Sequence, residues 1–112
     1  MCGTIINQTQ TLTVTQLTSK IKNLLEPSFI SIAVEGEISN MRPSYTGHIY
    51  YTLKDSYSSV SAVIFKSQVL RLKFILKNGM KVIARGGITV YEPRGEYQIR
   101  AETIISAGLG LL

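Results

Sequence analysis

Flat rings and cations interleave along this sequence. Arg42, Tyr45, His48, Tyr50 and Lys54 fall in one stretch, and Phe65, Arg85, Arg94 and Arg100 follow further on. Such a mixture suits a single-stranded polyanion that carries flat bases. Cations track its phosphates, and each base stacked on a ring contributes about 1–3 kcal/mol whatever its identity. Arginine fits phosphate through its bidentate fork and also stacks on bases. For each arginine the plain alternative is an ordinary surface cation. His48, the sole histidine, either caps a strand end beside Gly47 or reaches a base or phosphate.

Catalytic chemistry has less to build on. The single cysteine, Cys2, lies in a polar tail, and no serine stands in a nucleophile context. Glu35 and Glu37 are two apart, which on a strand puts both carboxylates on one face about 7 Å from each other. That distance could hold a metal or support acid–base work, but a solvated strand face explains the pair more simply. No catalytic residue, metal site or cofactor is therefore expected in this chain.

Composition narrows the class. With 112 residues, 45% apolar and 17% charged, the chain has enough apolar material for one core and is not a disordered polymer. No apolar run approaches the roughly 18 residues of a membrane span. Lacking a basic n-region, the first residues do not read as a secretory signal. One cysteine forms no internal disulfide, so a reducing, intracellular setting is expected. Twelve basic residues against seven acidic give a net charge of +5. The excess is local: Ser56 to Tyr91 contains no acid but holds Lys66, Arg71, Lys73, Lys77, Lys81 and Arg85. A region of one sign favours a polyanionic partner, or simply keeps a domain soluble.

These residues need a scaffold. Residues 1–11 read as a tail. Thr15 suits an N-cap, followed by an apolar stripe of Leu17, Ile21, Leu24 and Leu25 on a helix that Pro27 should stop. Five strands follow: Phe29 to Ser39, His48 to Lys54, Val60 to Lys66, Met80 to Tyr91 and Glu96 to Ile104. In the second, Ile49, Tyr51 and Leu53 oppose His48, Tyr50, Thr52 and Lys54. In the third, Val60, Ala62 and Ile64 oppose Ser61, Val63 and Phe65. Asn40 to Gly47 reads as a loop carrying Arg42 and Tyr45. Ser67 to Phe74 fits either a short helix or an irregular crossing. Gly86-Gly87 marks a bulge or bend in the fourth strand. Arg94 lies at the tip of the last hairpin, and Tyr91 and Tyr97 flank it as a cross-strand pair.

Five short strands, read as antiparallel, do not leave their edges open cheaply, so closure is favoured. The expected architecture is mainly β: a five-stranded OB-fold Greek-key barrel with an N-terminal α-helix and a short crossing segment between strands three and four. An open meander packed on the helix is the alternative. If Ile49 and Ile64 face the barrel core, Tyr50 and Phe65 lie outside on neighbouring strands, where OB folds hold ligands. If the phase is inverted, Phe65 is core.

Specific segments carry a family resemblance. They are Leu12-Thr13-Val14-Thr15-Gln16-Leu17, Val34-Glu35-Gly36-Glu37-Ile38-Ser39-Asn40, Gly47-His48-Ile49-Tyr50-Tyr51-Thr52-Leu53-Lys54-Asp55, Val82-Ile83-Ala84-Arg85-Gly86 and Val90-Tyr91-Glu92-Pro93-Arg94-Gly95-Glu96-Tyr97-Gln98. Together and in this order they resemble the N-terminal OB-fold domain of the exodeoxyribonuclease VII large subunit, over about residues 12–110. Ser61 and the serine-rich Asp55 to Ser59 turn depart from the family pattern.

The resemblance implies a nucleic-acid-binding domain at 12–106, with 107–112 beginning the link to a catalytic region elsewhere in the large subunit. It implies that this chain alone does not cut DNA. It further implies a cytoplasmic, multisubunit enzyme that degrades single-stranded DNA to oligonucleotides, with the small subunit bound through the full-length large subunit. Self-association of the domain, and affinity for single-stranded RNA, stay open at this point.

Overall fold

The computed structural model describes residues 10–107; the expectations for the first nine residues and for 108–112 lie outside them. Helix α1 spans Val14–Ser28. Its N-cap is Thr13, two residues before the expected Thr15. The reason is Gln16: its Oε1 accepts from the Thr13 backbone N–H at 2.9 Å, while Thr13 Oγ1 accepts from the Gln16 N–H at 3.1 Å. This reciprocal box needs a glutamine or glutamate three residues after the cap, and Thr15 has Thr18 there. Nor does Pro27 stop the helix before itself. So near the end, a missing N–H costs one intrahelical bond, and the turn closes when the Phe29 N–H donates to the Leu25 carbonyl at 3.1 Å.

Glu26 ties α1 to the sheet. Its Oε2 accepts from the Val90 N–H at 3.0 Å and the Thr89 hydroxyl at 3.1 Å, and lies 3.3 Å from Lys22 Nζ. The Val90 backbone bond, aided by Thr89 and Lys22, holds its carboxyl below the ordinary 4.5. A depressed folded value stabilises fully above the ordinary value and is lost as pH falls through the folded one. Glu26→Gln should therefore be less stable than the parent in urea at about pH 7, with the gap closing at about pH 3. The apolar stripe does not become a buried seam, however. Leu17, Ile21 and Leu24 stay exposed, and Thr18 is the residue of α1 that is buried.

Five strands follow: β1 Ile32–Pro43, β2 Ile49–Lys54, β3 Ser59–Ile64, β4 Lys81–Tyr91 and β5 Glu96–Ser106. They close into a barrel in the order β1-β2-β3-β5-β4, with β4 returning to β1. The mainly-β barrel with one leading helix is thus present. One pairing differs from the all-antiparallel expectation: β3 and β5 run parallel, Ser61 beside Gln98 and Val63 beside Arg100. A five-strand barrel closed by a hairpin on its far side brings its third and fifth strands together in the same direction.

A four-residue helix, α2, spans Lys66–Val69. It starts at Lys66, the expected end of the third strand, and runs into the ambiguous segment, while β3 stops at Ile64. Strand β1 runs four residues past its expected end. Its register with β2 shifts between Ser39 and Arg42, where Asn40 takes φ 51°. Asparagine tolerates that left-handed geometry, so the strand passes the irregularity and continues. The Gly86-Gly87 expectation is met by a register shift between Arg85 and Gly86.

The core fills the barrel with Ile38, Tyr51, Leu53, Ala62, Ile64, Val82, Ala84 and Ile99, so the β2 phase runs as its alternation implied. On β3 Ala62 and Ile64 face the core as expected, but Val63, expected on the outward face, is fully buried as well. Tyr51 is 1% exposed and its hydroxyl has no partner among the described residues; burial pushes its phenol well above the usual range. An unsatisfied buried hydroxyl is costly, whereas a ring without it is not. Tyr51→Phe is expected to raise stability by about 1 kcal/mol, read by thermal denaturation.

Candidate nucleic-acid interface

A groove of about 480 Å³ runs across β2 and β3 to the arms of β4 and β5. Tyr50 enters it because it alternates with half-buried Ile49 and buried Tyr51 on β2. Phe65 enters from the residue that precedes α2, with Ser61 and Ala62 on β3 beneath. Gln98, Glu96 and Tyr91 form the far wall, and Arg94 reaches in from the β4–β5 turn. Arg42 is also in the wall. It is not a loop residue as expected: it sits on β1 opposite Tyr50, and its Nη1 donates to the Asn40 carbonyl at 3.0 Å. The same irregularity that lengthens β1 thus delivers Arg42 to the groove.

Phe65 is held on two sides. The Arg100 guanidinium carbon lies 5.0 Å from its ring centroid, a cation–π contact. The His48 ring centroid is 4.9 Å away at 57°. His48 Nδ1 accepts the Lys66 backbone N–H at 2.9 Å, which leaves Nε2 to carry the hydrogen of the neutral ring. His48 therefore fixes the start of α2 and one side of Phe65 together.

Three expected residues stand apart. Tyr45 is fully exposed in the β1–β2 loop and does not line the groove. Lys54 shares Tyr50's outward parity but lies at the other end of β2, lining a recess with Glu35, Glu37 and Lys81. Arg85 pairs with Ala33 on β1 and Thr103 on β5, which puts it on the barrel side away from β2. Parity along a strand says whether a residue faces out, not which way round a closed barrel.

The recess answers the question of the two glutamates. Glu37 is the register partner of both Lys54 and Lys81, so charges of opposite sign alternate across three strands. Among the described residues, no cluster of three or more histidine, cysteine or carboxylate side chains could hold a metal ion.

Tyr91, Gln98, Ser61 and Glu96 are groove residues that the sequence reading did not assign. For Tyr91 a signal existed: Val90 belongs to the apolar alternation of β4, so its neighbour must face out. Nor do Tyr91 and Tyr97 pack on each other. Tyr91 opposes Glu96 and Tyr97 opposes Val90. Tyr97 instead lines an apolar recess with Leu25, Phe29, Ile32 and Ile88 at the α1 end of the barrel. No helix among the described residues is long and apolar enough to cross a membrane.

A closed five-stranded barrel with a leading helix, and an arginine- and ring-lined groove over β2 and β3, defines an OB-fold domain of the kind that binds nucleic acid. The family described as "OB-fold nucleic acid binding domain" matches residues 12–105, and the chain belongs to it. Within that class it is most informatively compared with exodeoxyribonuclease 7 large subunits, as the sequence motifs implied. It is 53% identical over 102 residues to that of Sulfurimonas denitrificans, covering 91% of this chain and 24% of the relative. To that of Geobacter sulfurreducens it is 44% identical over 108 residues, covering 96% and 24%. The chain thus spans about a quarter of the length of the curated relatives it matches.

Solved structures share the fold at low identity. A replication protein A heterotrimer bound to ssDNA matches with a TM-score of 0.57 at 10% identity, over 70% of this chain and 57% of that one. Asparaginyl-tRNA synthetase from Pyrococcus horikoshii matches at 0.57 and 18%, over 79% and 21%.

Proposed function

We propose that this domain captures single-stranded DNA and presents it to the nuclease region of an exodeoxyribonuclease VII large subunit. The observation that carries the reading is the convergence of Tyr50, Phe65, Arg42 and Arg94 in one groove. Rings line it for bases and guanidinium groups for phosphates. A structural neighbour described as bound to ssDNA uses the same barrel. On this reading the full-length enzyme is cytoplasmic, works with its small subunit and degrades single-stranded DNA to oligonucleotides. The domain itself needs no metal or cofactor to bind.

The test is fluorescence anisotropy with a labelled strand of about 20 nucleotides and the matching duplex, at low and moderate salt. Preference for the single strand, with affinity that falls steeply with salt, is the expected result. Equal affinity for duplex, or none for either, counts against the groove. A second reading draws on the exposed Leu17, Ile21 and Leu24 of α1: the domain serves assembly and binds DNA weakly. Self-association in sedimentation, combined with no oligonucleotide affinity, would favour it.

A further inference from the structure

The acid-free stretch from Ser56 to Tyr91 is left unexplained by the groove. None of its six cations lines it. Lys81 belongs to the glutamate recess and Arg85 to the β1–β4–β5 side. Arg71 and Lys73 instead border a further recess of about 380 Å³, between the segment that follows α2 and the end of β5.

That recess differs from the groove in chemistry. Leu72, Phe74, Ile104 and Ile105 give it apolar walls, and Glu102 is the one acid on its lining. Around it the apolar exposure continues: Ile105 is 45% exposed, and Leu70 and Ile75, on the same connecting segment, are 75% and 78% exposed. Apart from half-buried Phe74, these walls are branched aliphatic side chains, which have no flat face on which a base can stack. They do bury well against other aliphatic side chains, and exposed apolar surface rimmed by polar residues marks contact with protein.

We propose that this surface docks an acidic amphipathic helix of a protein partner. The helix lays leucine- or isoleucine-type side chains over Leu72, Phe74 and Ile105 and turns carboxylates toward Arg71 and Lys73. Charge selects the partner, because Arg71 and Lys73 outnumber Glu102 on the lining and a basic helix would meet net like charge. The inference does not depend on the groove reading, since the two surfaces share no lining residue.

The probe is a synthetic helix of about 18 residues, five turns, with leucine on one face and glutamate on the other. Its control has lysine in place of every glutamate. Titration into the labelled domain is followed by backbone amide shifts. The acidic peptide should shift amides of residues 70–76 and 102–106 and saturate, and the lysine peptide should not. The double variant R71E/K73E should lose about tenfold or more in peptide affinity while keeping its oligonucleotide affinity. A conservative pair, R71K/K73R, should bind the peptide as the parent does. No saturation by the acidic peptide, or equal binding of both peptides, would overturn the proposal. So would loss of oligonucleotide affinity in R71E/K73E with DNA-induced shifts at the same amides, which would make the stretch a second nucleic-acid track.

Discussion

Replacing Tyr50 by alanine is expected to weaken binding of a single-stranded oligonucleotide by about tenfold, the low to middle range for one lost stacking partner. The dependence on salt should barely change. A ring neutralises no phosphate, so its removal releases no fewer counterions. Arg94→Ala should behave in the opposite sense. Each phosphate contact on a single strand contributes about 0.7 to the slope of log affinity against log salt, and losing one should flatten the slope by about that amount. Anisotropy at four or five salt concentrations separates the two effects. Tyr50 is the cleaner ring to remove, because it projects from the middle of a strand whose inward residues are intact. Phe65 also supports His48 and Arg100, so its loss would mix stacking with rearrangement. Unchanged affinity in both variants would mean that the groove is not where the strand lies.

Gly86→Ala is the substitution expected to damage the fold most. A Cβ at this position would collide with the backbone carbonyl of Arg100 and crowd the Ala101 Cα on the neighbouring strand. Backbone in a paired strand cannot swing aside as a side-chain tip can. The ladder must separate at the point where its register shifts, at a cost of about 3 kcal/mol or more. Gly79→Ala is the matched control. Nothing lies within 4 Å of its Cβ, and its φ of 92° leaves backbone strain as the only penalty, about 1 kcal/mol. Urea denaturation should rank the two far apart. A Gly86→Ala protein as stable as Gly79→Ala would show that β4 and β5 are spaced more loosely than described here. Because Arg100 stands over Phe65, any Gly86→Ala protein that does fold should also bind oligonucleotide more weakly.

The sequence carried local alternation well. Ile49, Tyr51 and Leu53 mark the inner face of β2 by their alternation, and that alone sets Tyr50 outside. Gly86-Gly87 announced its irregularity because paired glycines in a strand have few other uses. The errors arise where a non-local fact decides. Lys54 faces outward with Tyr50 as expected but lies at the far end of β2, and Arg85 lies on the side of the barrel away from β2, a position that depends on which strands meet. The parallel β3–β5 pairing that decides it leaves no periodic trace. Pro43, the serine and threonine residues and Gly47 make Asn40 to Gly47 read as a loop, whereas Asn40 merely kinks a strand that continues to the proline and carries Arg42. Thr13, not Thr15, caps α1 because the deciding residue is the glutamine three positions on. The rings and arginines that did converge were legible as types, and their meeting required the closed sheet.

That closing pair also dictates a folding order. β5 hydrogen-bonds to β4 along one edge and to β3 along the other, so until it docks the first four strands form an open sheet with two bare edges. Contacts between such distant parts of a chain are slow to form. A nascent chain therefore completes this domain only after Ser106 has left the ribosome, and interruption anywhere in β5 exposes edges ready to pair with another molecule. Arg100 arrives on the same strand. Glu96 and Gln98 come with it, so the groove gains that wall, and Phe65 its cation, only in the step that seals the barrel.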